Sequence, residues 1–264
     1  MLAAAPAAAA RDILERAFLA SEVGTGLMTG YYEPVLRGSL RPTALYATPL
    51  LALPTATVTL PSRAEIEAGA LAGQGLELVW VDSAVDAFFL HIQGSGRVRL
   101  PDGGLLRLGY AGQNGHRYFA IGRALIQRGA ISREAMSMQA IRAWLDAAGP
   151  AAARSLMQQN PSYIFFRVLQ GLGADEGPPG TMGVPLTPLR SVAVDTAFIP
   201  MGAPLFLAGA APAPRLVVAQ DTGGAIRGAG RVDLFWGWGD AAGARAGLLN
   251  QPARVFLLRP RPPG

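Results

Sequence analysis

Apolar residues in the middle of the chain come in short runs that Gly, Pro, Asp and Ser separate. Short runs with this punctuation are typical of antiparallel strands joined by tight turns. We therefore predict strands of a small barrel or sandwich at residues 76–81, 87–92, 97–100 and 105–110.

Helical spacing of apolar residues is confined to a few short segments. Residues 11–19 place four apolar side chains on one stripe, which predicts a short amphipathic helix. Between residues 24 and 61, Gly and Pro recur at short intervals, which predicts loop and edge strand. Further helices are predicted at 116–127, at 132–148 with Ser132 as N-cap, and at 151–159 after Pro150.

The stretch richest in Gly and Pro, residues 171–183, is typical of a boundary between two units. Beyond it, short apolar strands are predicted at 191–194, 204–207, 216–219 and 255–258, which indicates a second β-barrel.

Composition supports this picture of a folded, mainly β protein. The 264 residues are 50% hydrophobic and 16% charged, which is typical of a chain that buries a core. The 33 Gly and 21 Pro argue against a helical bundle. The first ten residues lack the basic start and longer apolar stretch of a secretory signal.

The charge pattern narrows the choice of partner. All 23 basic residues are Arg, and the net charge of +5 suits an anionic partner. However, the Arg residues are scattered, so a nucleic-acid groove is disfavoured. The chain has no Cys, which excludes disulfides and thiolate metal sites, and its two His match no metal motif. We expect neither a metal nor a cofactor.

Three Asp accompany the predicted strands of the C-terminal unit, which indicates a shared polar site. Asp195 and Asp221 follow strands, where an Asp that caps a turn is the competing interpretation. Asp233 lies within a strand, and its apolar neighbours are expected to raise its pKa by desolvation, as a general acid requires. The segment Asp221-Thr222-Gly223 also matches the aspartic protease motif, but with one copy a homodimer would be needed.

Polar and aromatic side chains concentrate in two loops, residues 93–96 and 110–116, and near Tyr32 and Trp236. Amides, hydroxyls and aromatic faces together suit a saccharide cleft. Tight turns and core packing are the alternative for each residue alone. The candidate glycan contacts are Tyr32, Gln93, Ser95, Gly96, Tyr110, Gln113, Asn114, Gly223 and Trp236.

Five longer motifs carry a family resemblance. In order they are Thr29-Gly-Tyr-Tyr-Glu-Pro34, His91-Ile-Gln-Gly-Ser-Gly96, Gly109-Tyr-Ala-Gly-Gln-Asn-Gly-His116, Asn160-Pro-Ser-Tyr163 and Ala219-Gln-Asp-Thr-Gly-Gly-Ala-Ile226. With them, the sequence resembles the MltA family, the membrane-bound lytic murein transglycosylases A.

The resemblance implies a double-psi β-barrel domain with a second, inserted β-barrel domain and a few helices. The catalytic barrel would comprise residues 1–44 and 166–264, including a three-aspartate (3D) domain at about 184–259, and the insert residues 45–165.

The implied enzyme is a peptidoglycan lytic exotransglycosylase. It cleaves the bond between N-acetylmuramic acid and N-acetylglucosamine without water and leaves 1,6-anhydro ends. Asp233 matches the family's acid/base, with Asp221 and Asp195 orienting groups or stabilising charge. An inverting hydrolase and a non-catalytic peptidoglycan-binding module are the alternatives.

The implied partners are glycan strands and other cell-wall enzymes, in the cell envelope on the periplasmic side. Members of the family are typically lipoproteins anchored by an N-terminal Cys, which this sequence lacks. Membrane contact is therefore expected only through a lipid anchor that is absent from this sequence.

Overall fold

The computed structural model describes residues 7–55, 60–209 and 214–262. Contacts divide the chain into two compact units. The barrel unit comprises Met1–Thr29, Gly180–Phe235 and Leu249–Gly264, and the sheet unit comprises Gly30–Pro179 and Trp236–Leu248. The boundaries expected from the sequence, after residues 44 and 165, both lie inside the sheet unit. The assignment of a catalytic and an inserted domain stays a prediction.

The described residues form twelve strands and seven helices, which confirms a mainly β fold with few helices. The strands are β1 (Phe18–Glu33), β2 (Val35–Ser39), β3 (Thr48–Leu51), β4 (Glu77–Val81), β5 (Gly96–Arg99), β6 (Leu105–Gln113), β7 (Ile164–Leu169), β8 (Ser191–Val194), β9 (Pro204–Ala208), β10 (Arg215–Asp221), β11 (Val232–Trp238) and β12 (Asn250–Pro260). The helices are α1 (Ala7–Ala17), α2 (Arg63–Glu67), α3 (Ala84–Gln93), α4 (Ile121–Gln127), α5 (Met138–Ala148), α6 (Pro150–Met157) and α7 (Gly239–Ala246).

Six strands of the barrel unit close into a barrel in the order β1, β11, β8, β10, β9, β12. Strand β10 runs parallel to β8, whereas β12 pairs antiparallel with both β1 and β9. Alternating residues of the short strands fill the interior, because successive side chains of a strand point to opposite faces. The buried residues include Val192, Val194, Leu205, Leu207, Val217, Ala219, Val232, Leu234, Val255 and Leu257.

The sheet unit contains a six-stranded sheet in the order β3, β4, β2, β5, β6, β7. A single bridge, Ala52 to Phe166, joins its two edge strands, so the sheet curls back on itself. One core cluster lies on this sheet, and a second lies among helices α3 to α6.

The prediction of a strand at 87–92 is wrong, because these residues belong to helix α3. The side chain of Ser83 caps the helix by accepting the N–H of Asp86, and Gly94 ends it in the left-handed conformation with φ 80°. Residues 87–91 are all buried, so the helix lacks the polar face that would reveal its period.

Four other boundaries differ from the predictions. Helix α1 ends at Ala17, and the predicted loop after it is largely the long strand β1, whose glycines lie in extended backbone. Helix α4 begins at Ile121, and Ser137, not Ser132, caps α5. The remaining predicted strands and the helix after Pro150 are confirmed. Residues 171–183 form neither helix nor strand, as a boundary segment should.

Within residues 7–55, 60–209 and 214–262, the structure contains no helix with the length and apolar character needed to span a membrane.

Two glycines of β1 allow a matched test of barrel closure. A Cβ at Gly26 would lie 2.4 Å from the backbone of Gly230, whereas a Cβ at Gly24 would lie 3.7 Å from Ala229. We expect Gly26→Ala to lower the free energy of unfolding by about 1–3 kcal/mol, because backbone cannot move aside easily. Gly24→Ala should change it by about 0.5 kcal/mol at most. Urea unfolding measures both, and equal midpoints for the two variants would contradict this account.

Candidate active site

Asp233 lies in the wall of the barrel, on β11, opposite Ala193 of β8. The hydroxyl of Thr29, the last residue of β1 that pairs with β12, donates a hydrogen bond of 2.5 Å to Asp233 Oδ1. Its neighbours along β11, Val232 and Leu234, are fully buried with side chains on the opposite face of the strand, and Asp233 itself is half-buried. The barrel thus holds this carboxyl at a fixed place with part of its surface open.

Burial raises the pKa of Asp233 to about 6, because protein atoms surround the carboxyl densely although part of it is accessible. The charge of Asp221 adds to the rise, while the Thr29 hydrogen bond and the Arg231 guanidinium oppose it. A carboxyl with this pKa is protonated in part of the molecules near neutral pH and can also give the proton up, which are the two requirements of an acid/base catalyst.

Asp221 ends β10, close enough to Asp233 for its charge to raise the pKa of that carboxyl. Its Oδ1 accepts hydrogen bonds from the backbone N–H of Thr181 at 2.9 Å and from the Thr181 hydroxyl at 3.0 Å. The hydroxyls of Thr181 and Thr222 lie 2.7 Å apart. Asp221 thus connects Thr181, at the start of the barrel unit's second segment, to the end of β10 near Asp233.

Asp195 follows β8 and uses both carboxylate oxygens on the backbone. The N–H of Gly228 donates to Oδ2 at 2.7 Å, and the N–H of Ala197 donates to Oδ1 at 3.1 Å. These hydrogen bonds, that of Gly228 above all, hold the pKa of Asp195 below its usual range. Asp195 therefore stays ionised and fixes a loop, as the turn interpretation anticipated.

The candidate glycan contacts fall into both units. Gly223 lies beside Asp221 in the barrel unit, where a Cβ would come within 2.9 Å of Ile226. The other eight belong to the sheet unit.

Tyr32 is a packing residue of the sheet unit. Its ring is buried against Ala242 and Ala246 of α7, and a Cβ at Gly243 would come within 2.7 Å of it. The backbone N–H of Tyr32 donates to the side-chain oxygen of Gln93 at 2.9 Å. This placement argues against the expected glycan contact of the Tyr32 ring and gives Gln93 a structural hydrogen bond.

Asn114 is also committed to the fold, because it is buried and all its amide groups are used. Its amide N–H groups donate to the carbonyls of Pro61 at 2.8 Å and Pro161 at 2.9 Å, and its Oδ1 accepts the N–H of Tyr163 at 2.8 Å. Gly96 is buried too, and a Cβ there would lie 2.3 Å from the side chain of Leu90. The fold therefore uses the Asn114 amide and the space at Gly96, and the glycan contact expected of each stays a prediction.

Four candidates keep accessible surface. Gln113 is exposed at the end of β6, Tyr110 is 51% exposed, and Ser95 is half-buried. Trp236 is half-buried, and its indole Nε1 is buried without a hydrogen-bond partner among the described residues. These side chains can still meet a substrate.

No three His, Asp or Glu side chains come together as a metal site in the described parts of the chain.

The sequence profile of the MltA specific insert domain matches residues 27–167, and that of the 3D domain matches residues 190–259. The membrane-bound lytic murein transglycosylase A of Escherichia coli K12 is 39% identical over 258 residues, which cover 92% of this chain and 68% of that protein. The chain belongs to the MltA family. The corresponding protein of Vibrio cholerae is 38% identical, with 89% and 66% covered, so the chain spans about two thirds of these relatives.

Solved structures of the MltA family have the same fold. E. coli MltA with bound chitohexaose superimposes with a TM-score of 0.88 at 36% identity, covering 96% of this chain and 78% of that one. A membrane-bound lytic murein transglycosylase from Agrobacterium tumefaciens gives a TM-score of 0.87 at 34% identity, covering 96% and 79%.

Sequence reasoning missed two members of the site, Thr29 and Thr181. Thr29 begins the first MltA-like motif, yet it lies 204 residues from the carboxyl it binds. Its place at the head of that motif was the one available signal. Thr181 lies in the Gly- and Pro-rich boundary segment, where nothing in the pattern marks a contact with Asp221.

Replacing Thr29 by Val should raise the pKa of Asp233 further, because its hydrogen bond stabilises the ionised form. An acid must be protonated to act, so activity that depends on it falls as pH rises through that pKa. We therefore expect the alkaline limb of the kcat/KM profile to start near pH 6 and to move to higher pH in Thr29→Val. Thr29→Ser should restore the original limb, and a limb unmoved in Thr29→Val would contradict the assignment.

Gln113 ends β6 and Asn114 is the next residue, and we expect their truncation to change the unfolding free energy by different amounts. Thermal or urea unfolding measures both. Asn114→Ala leaves the Tyr163 N–H and the Pro61 carbonyl without their partner, while the Pro161 carbonyl keeps only the Arg63 N–H, so we expect a loss of about 3 kcal/mol in unfolding free energy. Gln113→Ala changes only an exposed side chain, and we expect about 0.5 kcal/mol or less. Similar losses in both variants would contradict the structural role of Asn114.

Proposed function

We propose that this chain is a lytic transglycosylase that cleaves the β-1,4 bond between N-acetylmuramic acid and N-acetylglucosamine in peptidoglycan. The products would carry 1,6-anhydro ends, because no water is added. The observation that carries the proposal is the carboxyl of Asp233, held by Thr29 and shifted to a pKa of about 6. Membership of the MltA family supplies the substrate class.

A single carboxyl can perform both halves of this reaction. Protonated Asp233 gives its proton to the glycosidic oxygen while the bond from that oxygen to C1 breaks. The resulting carboxylate then takes the proton of the muramoyl C6 hydroxyl as O6 bonds to C1. The ring closes and Asp233 is protonated again, so the cycle balances without water.

The other two Asp support this carboxyl in different ways. The negative charge of Asp221 helps to keep Asp233 protonated, and it favours positive charge developing at C1. Asp195 is assigned a positioning role, because its oxygens hold Ala197 and Gly228 of the adjacent turns. Neither role requires a second proton-transferring carboxylate.

The inverting hydrolase needs such a carboxylate to activate water. Asp195 is a poor candidate, since backbone hydrogen bonds lower its pKa and occupy both oxygens. Asp221 already accepts two hydrogen bonds on Oδ1 from Thr181. The proposal therefore favours a single acid/base at Asp233.

Glycan strands are the proposed partner, and the cell envelope, where peptidoglycan lies, is the proposed location. The MltA of E. coli has been solved with bound chitohexaose, a chain of N-acetylglucosamine units, which supports glycan binding in this family. We assign the accessible Ser95, Tyr110, Gln113 and Trp236, together with Gly223, to substrate contacts. Association with other cell-wall enzymes is a further proposal.

Asp233→Asn should reduce the release of muropeptides from purified sacculi by at least about 100-fold, because the variant cannot supply a proton. Mass spectrometry of the products should show anhydromuramoyl ends for the wild type. The matched control is Asp146→Asn, an exposed Asp on α5 that should leave the rate unchanged.

The alternatives give different results in the same assay. Reducing ends, heavier by one water, would identify a hydrolase. No release by the wild type would identify a binding module. Unimpaired release by Asp233→Asn would remove this carboxyl from the mechanism.

A further inference from the structure

A buried ion cluster lies inside the sheet unit, outside the residues assigned above. Glu33, at the end of β1, is fully buried between two guanidinium groups. Arg97 Nε donates to its Oε2 at 2.7 Å, and Arg107 Nη2 donates to its Oε1 at 3.1 Å. Burying a charge costs folding free energy unless the charge is paired and hydrogen-bonded, and a cluster of three buried charges is therefore unusual.

Arg97 contacts two further chain segments besides Glu33. Its Nη1 donates to the carbonyl of Ala174 at 2.7 Å, and its Nη2 donates to the carbonyl of Glu176 at 2.9 Å. Its guanidinium also lies over the ring of Trp238, 4.2 Å from the ring centre. All its nitrogens are therefore engaged, and each engages a different residue.

The three segments held by Arg97 are three of the four that pass between the units. β1 leaves the barrel unit after Thr29, β11 leaves it after Phe235, and the segment after Glu176 enters it at Gly180. Each segment carries a member of the site within five residues of its Arg97 contact. Thr29 is four residues before Glu33, Asp233 is five before Trp238, and Thr181 is five after Glu176.

We propose that Arg97 is a positioning residue for the transglycosylase reaction, fixing through Glu33, Trp238 and Glu176 the three segments that carry Thr29, Asp233 and Thr181. Only short stretches of chain separate the Arg97 contacts from the site: residues 29–33 run in β1, residues 233–236 run in β11 before Gly237 with φ 99°, and Pro178 and Pro179 restrict the backbone of the third segment. Displacements of about 1 Å can cost on the order of 100-fold in rate. This proposal rests on the function proposed above.

Arg107 shares Glu33 but not the wider contacts. Its Nη1 donates to the carbonyl of Gly173, and its Nε is buried without a partner among the described residues. It balances charge and closes the loop beside Glu176, whereas Arg97 alone contacts all three segments. The test therefore targets Arg97.

The test compares Arg97→Lys with Arg254→Lys. Lys keeps the positive charge, but its single ammonium group cannot replace a planar guanidinium that donates to Glu33, Ala174 and Glu176 at once. Arg254 is a matched control in the barrel unit, because it pairs with Glu22 of the same strand β1 through two hydrogen bonds and lies over Phe256, yet it is exposed. We expect Arg97→Lys to lower kcat by about 10- to 100-fold with KM within about twofold. Arg254→Lys should change neither.

Two further readouts separate positioning from general loss of folded protein. If Arg97 acts through the Thr29 to Asp233 hydrogen bond, the alkaline limb of the kcat/KM profile moves up in Arg97→Lys, as in Thr29→Val. The combined variant should then be slower than the slower of the two single variants by no more than about threefold, because both changes disturb the same hydrogen bond. Arg231 and Asp221, the other charged groups acting on Asp233, are unchanged in all variants.

An unmoved limb together with fully multiplicative losses would overturn the proposal, since a smaller folded fraction lowers kcat without either signature. If Arg97→Lys does not fold, Trp238→Leu removes only the ring beneath the guanidinium, and it should show the same two signatures at smaller size. Their absence there would also overturn the proposal. A wild type that releases no anhydro products refutes the proposed function itself, which is a distinct result.

Discussion

Desolvation of one carboxyl in the barrel wall is the constraint on which the proposed chemistry depends. Protein atoms surround the Asp233 carboxyl densely although part of the residue is accessible, so its ionised form is poorly solvated. The same surroundings would lower the stability of the fold if the carboxyl had no hydrogen-bond partner. The Thr29 hydroxyl meets that need with one hydrogen bond, which leaves the second oxygen for other contacts.

The three Asp show how similar sequence positions acquire different properties. Asp195 and Asp233 both accompany barrel strands, yet the pKa of one is lowered and that of the other raised. Two backbone N–H groups donate to Asp195, whereas Asp233 accepts one hydroxyl and loses solvation by burial. Since the residue type is the same, the different pKa values and proposed roles of these Asp follow from their surroundings.

Much of the fold was predictable where local pattern and tertiary placement agree, as in β8, β9 and β10, whose short apolar runs are bounded by turns. Helix α3 was not, since its burial removed the polar face that distinguishes a helix from a strand. Asp233 could be chosen because its flanking residues are in the sequence. The burial of Tyr32 and Asn114 could not, since it depends on α7 and on the carbonyls of Pro61 and Pro161.

The pairing of β1 with β12 has a consequence for biosynthesis. The two strands pair from Phe18 with Pro260 to Thr29 with Asn250, with a register shift between Glu22 and Gly24, so the wall carrying Thr29 is completed by a strand that lies far later in the sequence. A chain growing from its N-terminus holds that hydroxyl early but cannot close the barrel around it until β12 emerges. Such long-range pairing also slows folding. The proposed acid therefore has no closed barrel around it until β12 has been made.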